Sequence, residues 1–342
     1  MSEAAITTVQ AARAPSTRAL YESKWRVFSR WCVMSNLSPS ECGIEAILNF
    51  LQHRLDTERA APSTIKVYAA AISSFHREID GSSVFSHPLM SSFIKGVARL
   101  HPVRRPIAPP WDLGLVLDAL CGPPFEPIEV ADIKWLSAKT ALLLALTSGK
   151  RVSDITALST QRDCCVIAGD GSRATLRPNP AFVPKVLKSA FSARPISLSA
   201  FHPPPHGSGV EARLHRLCPV RALARYIQAT APFRRTQQLL VCYSAAKRGL
   251  PLSSQRLSHW LTEAIRQAYT SAGREQPQSV RAHSTRGVAA SAALFAGVSV
   301  EDICSAACWS SSSPFVRFYL VDMADSTSFS ASVLSQAASA RP

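Results

Sequence analysis

Acidic residues are scarce in this chain of 342 residues: 23 Asp and Glu stand against 38 Lys and Arg, a formal net charge of +15. That shortage disfavours cationic partners and favours polyanions, of which nucleic acid is the commonest. It is concentrated in residues 151–286, with 20 basic against 6 acidic side chains, while residues 1–105 hold 13 against 8. No run approaches the 18 or more apolar residues of a membrane-spanning helix. The opening MSEAAITTVQAARAPS lacks the apolar block of a signal peptide, so the expectation is a soluble intracellular protein. No dense Lys/Arg cluster serves as a clear nuclear address. No CxxC occurs among the nine cysteines, and their number is odd. This argues against a disulfide framework or a four-cysteine zinc site and fits a reducing compartment. Cys304 and Cys308, one helical turn apart, read as core residues. Also missing are a Walker-type glycine-rich loop and a metal-ligand cluster, so no cofactor and no metal are expected. What is present is apolar substance, 46% of the residues, enough for a globular chain of two ordinary domains.

The first hundred residues carry helical periodicity. Tyr21, Trp25, Phe28 and Cys32 recur at spacings of four, three and four. A second helix is expected from Ser38 as N-cap, with Pro39 in the first turn, Glu41 closing a capping box, and a buried face of Ile44, Ile47, Leu48, Leu51 and Leu55. A third follows Pro62 with Ile65, Tyr68, Ile72, Phe75 and Ile79; a fourth carries Leu89, Phe93, Ile94, Val97 and Leu100. Four short amphipathic helices make a compact N-terminal bundle over 1–105. HPVRRPIAPP (101–110), with four prolines, predicts a stiff, extended linker. Its Arg104 and Arg105 either touch a phosphate backbone or only solvate the linker.

The second domain, 111–342, begins with helices near 112–121 and 132–147, the latter ending at Gly149. DCCVIAGDGSRATLR predicts a hairpin turning at Gly169–Gly171, and RPISLS (194–199) a third strand. HPPPHGSG (202–209) is a loop. Helical patterns resume at 217–230, 253–272, 284–296 and 300–308. The fold class expected is mainly α with a small antiparallel β-sheet.

Three segments stand out: TSGKRVSD (147–154), HSTR (283–286) and WSSSSPFVRFYL (309–320). Singly, each has a bland reading. An Arg beyond a Gly-capped helix is usually on the surface, HxxR arises by chance, and a Tyr in an apolar C-terminal helix is normally core. Together, in this order and spacing, they resemble the tyrosine recombinase (phage integrase-type) family. The family's T-G-x-R-x-S-[ED] box is matched by TSGKRVSD with one extra residue, which places Arg151 and Asp154. Its HxxR box is matched by His283 and Arg286. Its nucleophile is matched by Tyr319, 33 residues after Arg286. The family's His or Trp nine residues before the nucleophile is matched by Trp309, here ten before. WSSSSPFVRFY and AFVPKV look nearest to recombinases of DIRS-like, Ngaro-like or Crypton-like mobile elements.

The resemblance implies a four-helix, SAM-like core-binding domain and an α+β catalytic domain that clamp duplex DNA. It implies cleavage through a 3′-phosphotyrosyl link and a homotetramer on two DNA sites, with neither ATP nor metal. A eukaryotic mobile element would place the protein in the nucleus, and another host in the cytoplasm or nucleoid. The chemistry suits the residues. In-line attack on a phosphodiester builds negative charge on the non-bridging oxygens, which the guanidinium forks of Arg151 and Arg286 match. A Tyr hydroxyl, with an ordinary pKa of ~10, needs cations or a base beside it to become a nucleophile. His283 is the proton-transfer partner, and Trp309 could donate its indole N–H to a phosphate oxygen. The acid for the leaving 5′ oxygen is Lys185 or Lys188, with Lys185 preferred; the alternative is that they only contact DNA backbone. Ser313–Pro314 is a good N-cap and first-turn pair for a short helix carrying Phe315, Phe318 and Tyr319, with Arg317 on another side. The serine tether before it would let the nucleophile dock or withdraw. The tail after Tyr319 either packs on a neighbour or frays. Two other readings stay open: a type IB topoisomerase-like enzyme that relaxes one duplex, and a domesticated, inactive DNA-binding protein.

Overall fold

The computed structural model describes residues 2–102, 109–184, 195–278 and 280–321. The chain divides into two compact units, Met1–Arg105 and Pro106–Pro342. Much of the linker segment (103–108), both candidate lysines and the tail from 322 onward lie outside the described residues.

Among the described residues the first unit contains five helices: α1 (Glu3–Ala11), α2 (Pro15–Met34), α3 (Ile44–Glu58), α4 (Pro62–Phe75) and α5 (Pro88–Leu100). Proline opens α2, α4 and α5, where its missing N–H costs no hydrogen bond. Of the stripe read from the sequence, Trp25, Phe28 and Cys32 pack into the core and Tyr21 lies outside it. Phe28 and Cys32 of α2 meet Ile47, Phe50 and Leu51 of α3 and Ile65, Tyr68 and Ile72 of α4. Phe28 and Tyr68 both set edge-on contacts against Phe50, with centroids 5.0 and 5.5 Å apart. Truncating Phe28 to Ala would cost about 3–5 kcal/mol.

Three details differ from the sequence reading. Helix α1 is additional. Residues Ser38–Glu41 do not cap a helix: Glu41 and Cys42 turn back onto the Ser38 carbonyl, Arg77 N–H takes the Ser40 carbonyl, and the Glu41 carboxylate pairs with the Arg77 guanidinium. With its capping groups spent on a tertiary contact, the helix begins only at Ile44, after Gly43. Helix α4 stops at Phe75, because His76 turns extended, so Ile79 lies outside it in an isolated bridge to Ser82.

The second unit is built around α7 (Ile133–Ser148), which packs against α10 (Pro219–Thr230), α11 (Ser254–Ser271), α12 (Ser284–Phe295) and strand β3 (Ile196–Ser199). Through its middle, residues 136–145, α7 is buried on every side and has no solvent-facing stripe. Strands β1 (Cys165–Ile167), β2 (Arg173–Leu176) and β3 form an antiparallel sheet in that order, with Leu176 opposite both Cys165 and Ile196. Alternation puts Ala174, Leu176, Ile196 and Leu198 on the core side. The β1–β2 hairpin turns through Gly171 at φ +70°. Helices α6 (Leu113–Ala119), α13 (Val300–Ala307) and α14 (Ser313–Phe318) fall where expected, whereas α8 (Val152–Thr156) and α9 (Gly209–His215) are additional. The fold is mainly α with a small antiparallel sheet.

Candidate active site

Gly149 ends α7 in the left-handed conformation at φ +59°, and any side chain there would face Ala307. This turn carries the chain into Arg151, the N-cap of α8, whose backbone N–H donates to the Asp154 carboxylate at 3.2 Å. Asp154 therefore fixes the backbone that holds Arg151. The preceding Lys150 reaches the other way, donating from Nζ to Cys308 Sγ at 2.6 Å. Lys150, Arg151, Asp154 and Cys308 share one cavity with Leu158 and Phe182.

His283 is the N-cap residue of α12, and Arg286 follows in its first turn. The turn is tied down from both sides. Ser284 Oγ donates to the Arg281 carbonyl at 2.6 Å and accepts from the Trp111 indole N–H at 2.9 Å. Arg286 is 1% exposed, yet one of its nitrogens, Nη2, donates to the Ala307 carbonyl, and Nε and Nη1 find no partner among the described residues. Its guanidinium lies over the Trp309 ring at 4.4 Å and the Tyr319 ring at 5.3 Å. Burial, and after it the positive charge of Arg151, pull the Arg286 pKa down to about 10, which still leaves it a cation at neutral pH.

Cys308 caps α13 in the left-handed conformation at φ +53°, which swings Trp309 back so that its N–H bonds the Cys304 carbonyl. Trp309, 3% exposed, stacks on Phe315 at 5.4 Å and leans on Tyr319 at 4.8 Å. Helix α14 begins at Ser313 with Ser312 rather than Ser313 as the N-cap, and Tyr319 is its C-cap residue. Tyr319 Oη sits 2.6 Å from His283 Nε2. The fold thus gathers His283, Arg286 and Trp309 around Tyr319, with Arg151 close enough for its charge to act on Arg286. Lys185 and Lys188 lie outside the described residues, as do the side chains of Arg317 and Phe318.

Sequence reasoning passed over Trp111 and Lys150, which reach Ser284 and Cys308, and over Gly287 and Ser291, which fall with His283 at i, i+4 and i+8 on one face of α12.

No protein-family model matches the sequence, and no curated protein does. Solved structures do. The Tn1549 transposon integrase in complex with transposon right end DNA superposes with a TM-score of 0.60 at 11% identity, over 99% of this chain and 98% of that one. The site-specific recombinase XerH bound to difH in a pre-cleavage complex gives 0.53 at 15%, over 95% and 79%. A lambda integrase tetramer bound to a Holliday junction gives 0.51 at 14%, over 94% and 77%. At these identities the likeness shows the fold, and the site's chemistry rests on its own geometry.

Proposed function

We propose that this chain is a site-specific DNA recombinase that cuts and rejoins strands through a covalent bond to Tyr319. The observation that carries this reading is the 2.6 Å contact between Tyr319 Oη and His283 Nε2, set directly beside a buried guanidinium with two uncommitted nitrogens. A buried Arg with open donors is a receptor for an anion, and a phenol bonded to an imidazole is a nucleophile with its base. In the reaction the phenol proton passes to His283 as Tyr319 Oη bonds to phosphorus. The bond to the 5′ oxygen breaks, and that oxygen takes a proton from an acid, the role the resemblance gives Lys185 or Lys188. Arg151 and Arg286 hold the non-bridging oxygens as their charge grows. Attack by a 5′ hydroxyl on the phosphotyrosine reverses the sequence, and the bond energy is conserved throughout.

The working unit proposed is a homotetramer on two duplex sites, in line with the lambda integrase tetramer on a Holliday junction. The narrower affiliation with DIRS-like, Ngaro-like or Crypton-like elements rests on WSSSSPFVRFY and AFVPKV, and a nuclear site of action goes with it. The excess of basic residues between 151 and 286 supplies phosphate contacts, so binding weakens steeply with salt.

The test is trapping on a nicked suicide substrate cut from the element's termini, with wild type beside Tyr319→Phe and metal chelated. A covalent protein–DNA adduct in wild type alone supports the reading. An adduct in both moves the nucleophile elsewhere. Tight, salt-sensitive binding by both without any adduct favours the inactive DNA-binding protein.

A further inference from the structure

Tyr319 is held by more than its hydroxyl. Its backbone carbonyl lies so close to Gly287 that a Cβ there would come within 2.9 Å of the carbonyl oxygen, closer than real Cβ contacts run. Ser291, fully buried, donates from Oγ to the same carbonyl at 3.4 Å and accepts from the Val321 N–H at 2.9 Å. One hydroxyl therefore clasps the chain immediately after the tyrosine side chain, at the Tyr319 carbonyl and the Val321 amide. Gly287 has ordinary helical geometry, so its lack of a side chain is not demanded by the backbone of α12. What demands it is the approach of the Tyr319 carbonyl. His283, Gly287 and Ser291 thus form one face of α12: His283 meets the phenol oxygen, Gly287 the Tyr319 carbonyl, and Ser291 that carbonyl and the Val321 amide. A tyrosine on a six-residue helix, with Ser310–Ser313 before it, gets little orientation from its own segment. This face provides it.

We propose that Gly287 and Ser291 are positioning residues: they form a seat on α12 that sets where Tyr319 Oη stands against the scissile phosphate, without touching DNA themselves. The inference rests on the proposed function, which makes Tyr319 the nucleophile. Adding one methyl at Gly287 pushes the Tyr319 carbonyl away by several tenths of an ångström. Reacting atoms tolerate little of this, and a misplacement near 1 Å can cost about a hundredfold in rate.

The experiment compares two nucleophiles at one phosphate. On the suicide substrate, the rate of covalent adduct formation is measured for wild type, Gly287→Ala and Ser291→Ala. In parallel, hydrogen peroxide is supplied to Tyr319→Phe, alone and combined with each substitution. Peroxide oxygen bonds to phosphorus, the bond to the 5′ oxygen breaks, the peroxide proton leaves to a base, and the released 5′ oxygen is protonated. That reaction needs the phosphate-binding arginines but no seat. The expected result is a fall in adduct formation of ten- to a hundredfold for Gly287→Ala and a smaller fall for Ser291→Ala. Peroxide cleavage should stay within about twofold of Tyr319→Phe alone. Alanine is the better helix former, so Gly287→Ala should keep its melting temperature. Tyrosine and peroxide rates falling together would overturn the proposal, since the substitution would then have damaged the phosphate site. Adduct formation at the wild-type rate in both variants would overturn it too. No adduct in wild type would instead refute the proposed function itself.

Discussion

Two buried cations in the second unit are treated in opposite ways. Lys139, wholly buried at the middle of α7, bonds to the Leu120 carbonyl at 2.8 Å and to the Glu126 carboxylate. Arg221 closes the same carboxylate from the other side, with bonds of 2.8 and 3.2 Å, and reaches on to Glu129 at 3.1 Å. Each buried charge there has its counter-charge. Arg286 is buried almost as deeply and, among the described residues, has no such carboxylate bond. It has there one bond, to Ala307, two aromatic faces, and the like charge of Arg151, which acts on it more strongly than the opposite charge of Asp154. Desolvating a charge is costly unless it is paired. The closed cluster accordingly serves the fold, while the open one, on the function proposed above, holds a cation ready for an anion.

Arg286→Met, which keeps the volume and removes the charge, separates these roles most sharply. Adduct formation on the suicide substrate should fall by about a hundred- to a thousandfold, the range for removing one preorganised donor from a developing oxyanion. Stability should stay level or rise, because an unpaired buried cation has gone. A large drop in melting temperature with activity retained per folded molecule would erase the distinction. Lys139→Met is the mirror image. It strands the Leu120 carbonyl and strips Glu126 of one partner, which should cost about 3 kcal/mol in denaturant melts, the low end for a broken buried pair because Arg221 remains. Adduct formation per folded molecule should not change.

The same contrast explains what could be read in advance. Arg151, His283, Arg286, Trp309 and Tyr319 were singled out because three short motifs carry them in the order and spacing of a family they resemble, and the fold brings His283, Arg286 and Trp309 to Tyr319. The apolar stripes of α2 and α3 were legible because packing repeats every turn. The Glu126–Lys139–Arg221 cluster was not, since it joins three separated segments and nothing local marks Lys139 as buried rather than solvated. Ser38–Glu41 misled for the same reason: a sound local capping signal lost to Arg77, a partner 36 positions beyond Glu41. Gly287 carried no reading in the sequence, because what crowds it is the Tyr319 carbonyl, 32 positions further along the chain.

Acid and alkali should tell the two clusters apart by smaller but opposite trends. Burial alone would raise the Glu126 pKa, but the bonds from Arg221 and Lys139 outweigh it and hold the carboxyl below its ordinary value. The carboxylate's contribution is therefore present above the unfolded pKa, near 4.5, and is lost as pH falls through the lowered folded value. Arg286 behaves in the reverse sense. Its folded pKa of about 10 lies below the ordinary arginine value, so between the two the unfolded chain binds more protons and stability rises with pH. The cost of burying its charge is full below pH 10 and relieved above it. Denaturant melts of wild type and Arg286→Met should show any advantage of the variant at pH 8 shrinking as pH passes 10, with strand cleavage by wild type failing over that same interval. Melts of wild type and Lys139→Met should instead converge toward acid, where Glu126 takes up its proton. If both variants converged with wild type at the same end of the pH range, the two cations would be held by one kind of environment, and Arg286 would lose its claim to be the open one.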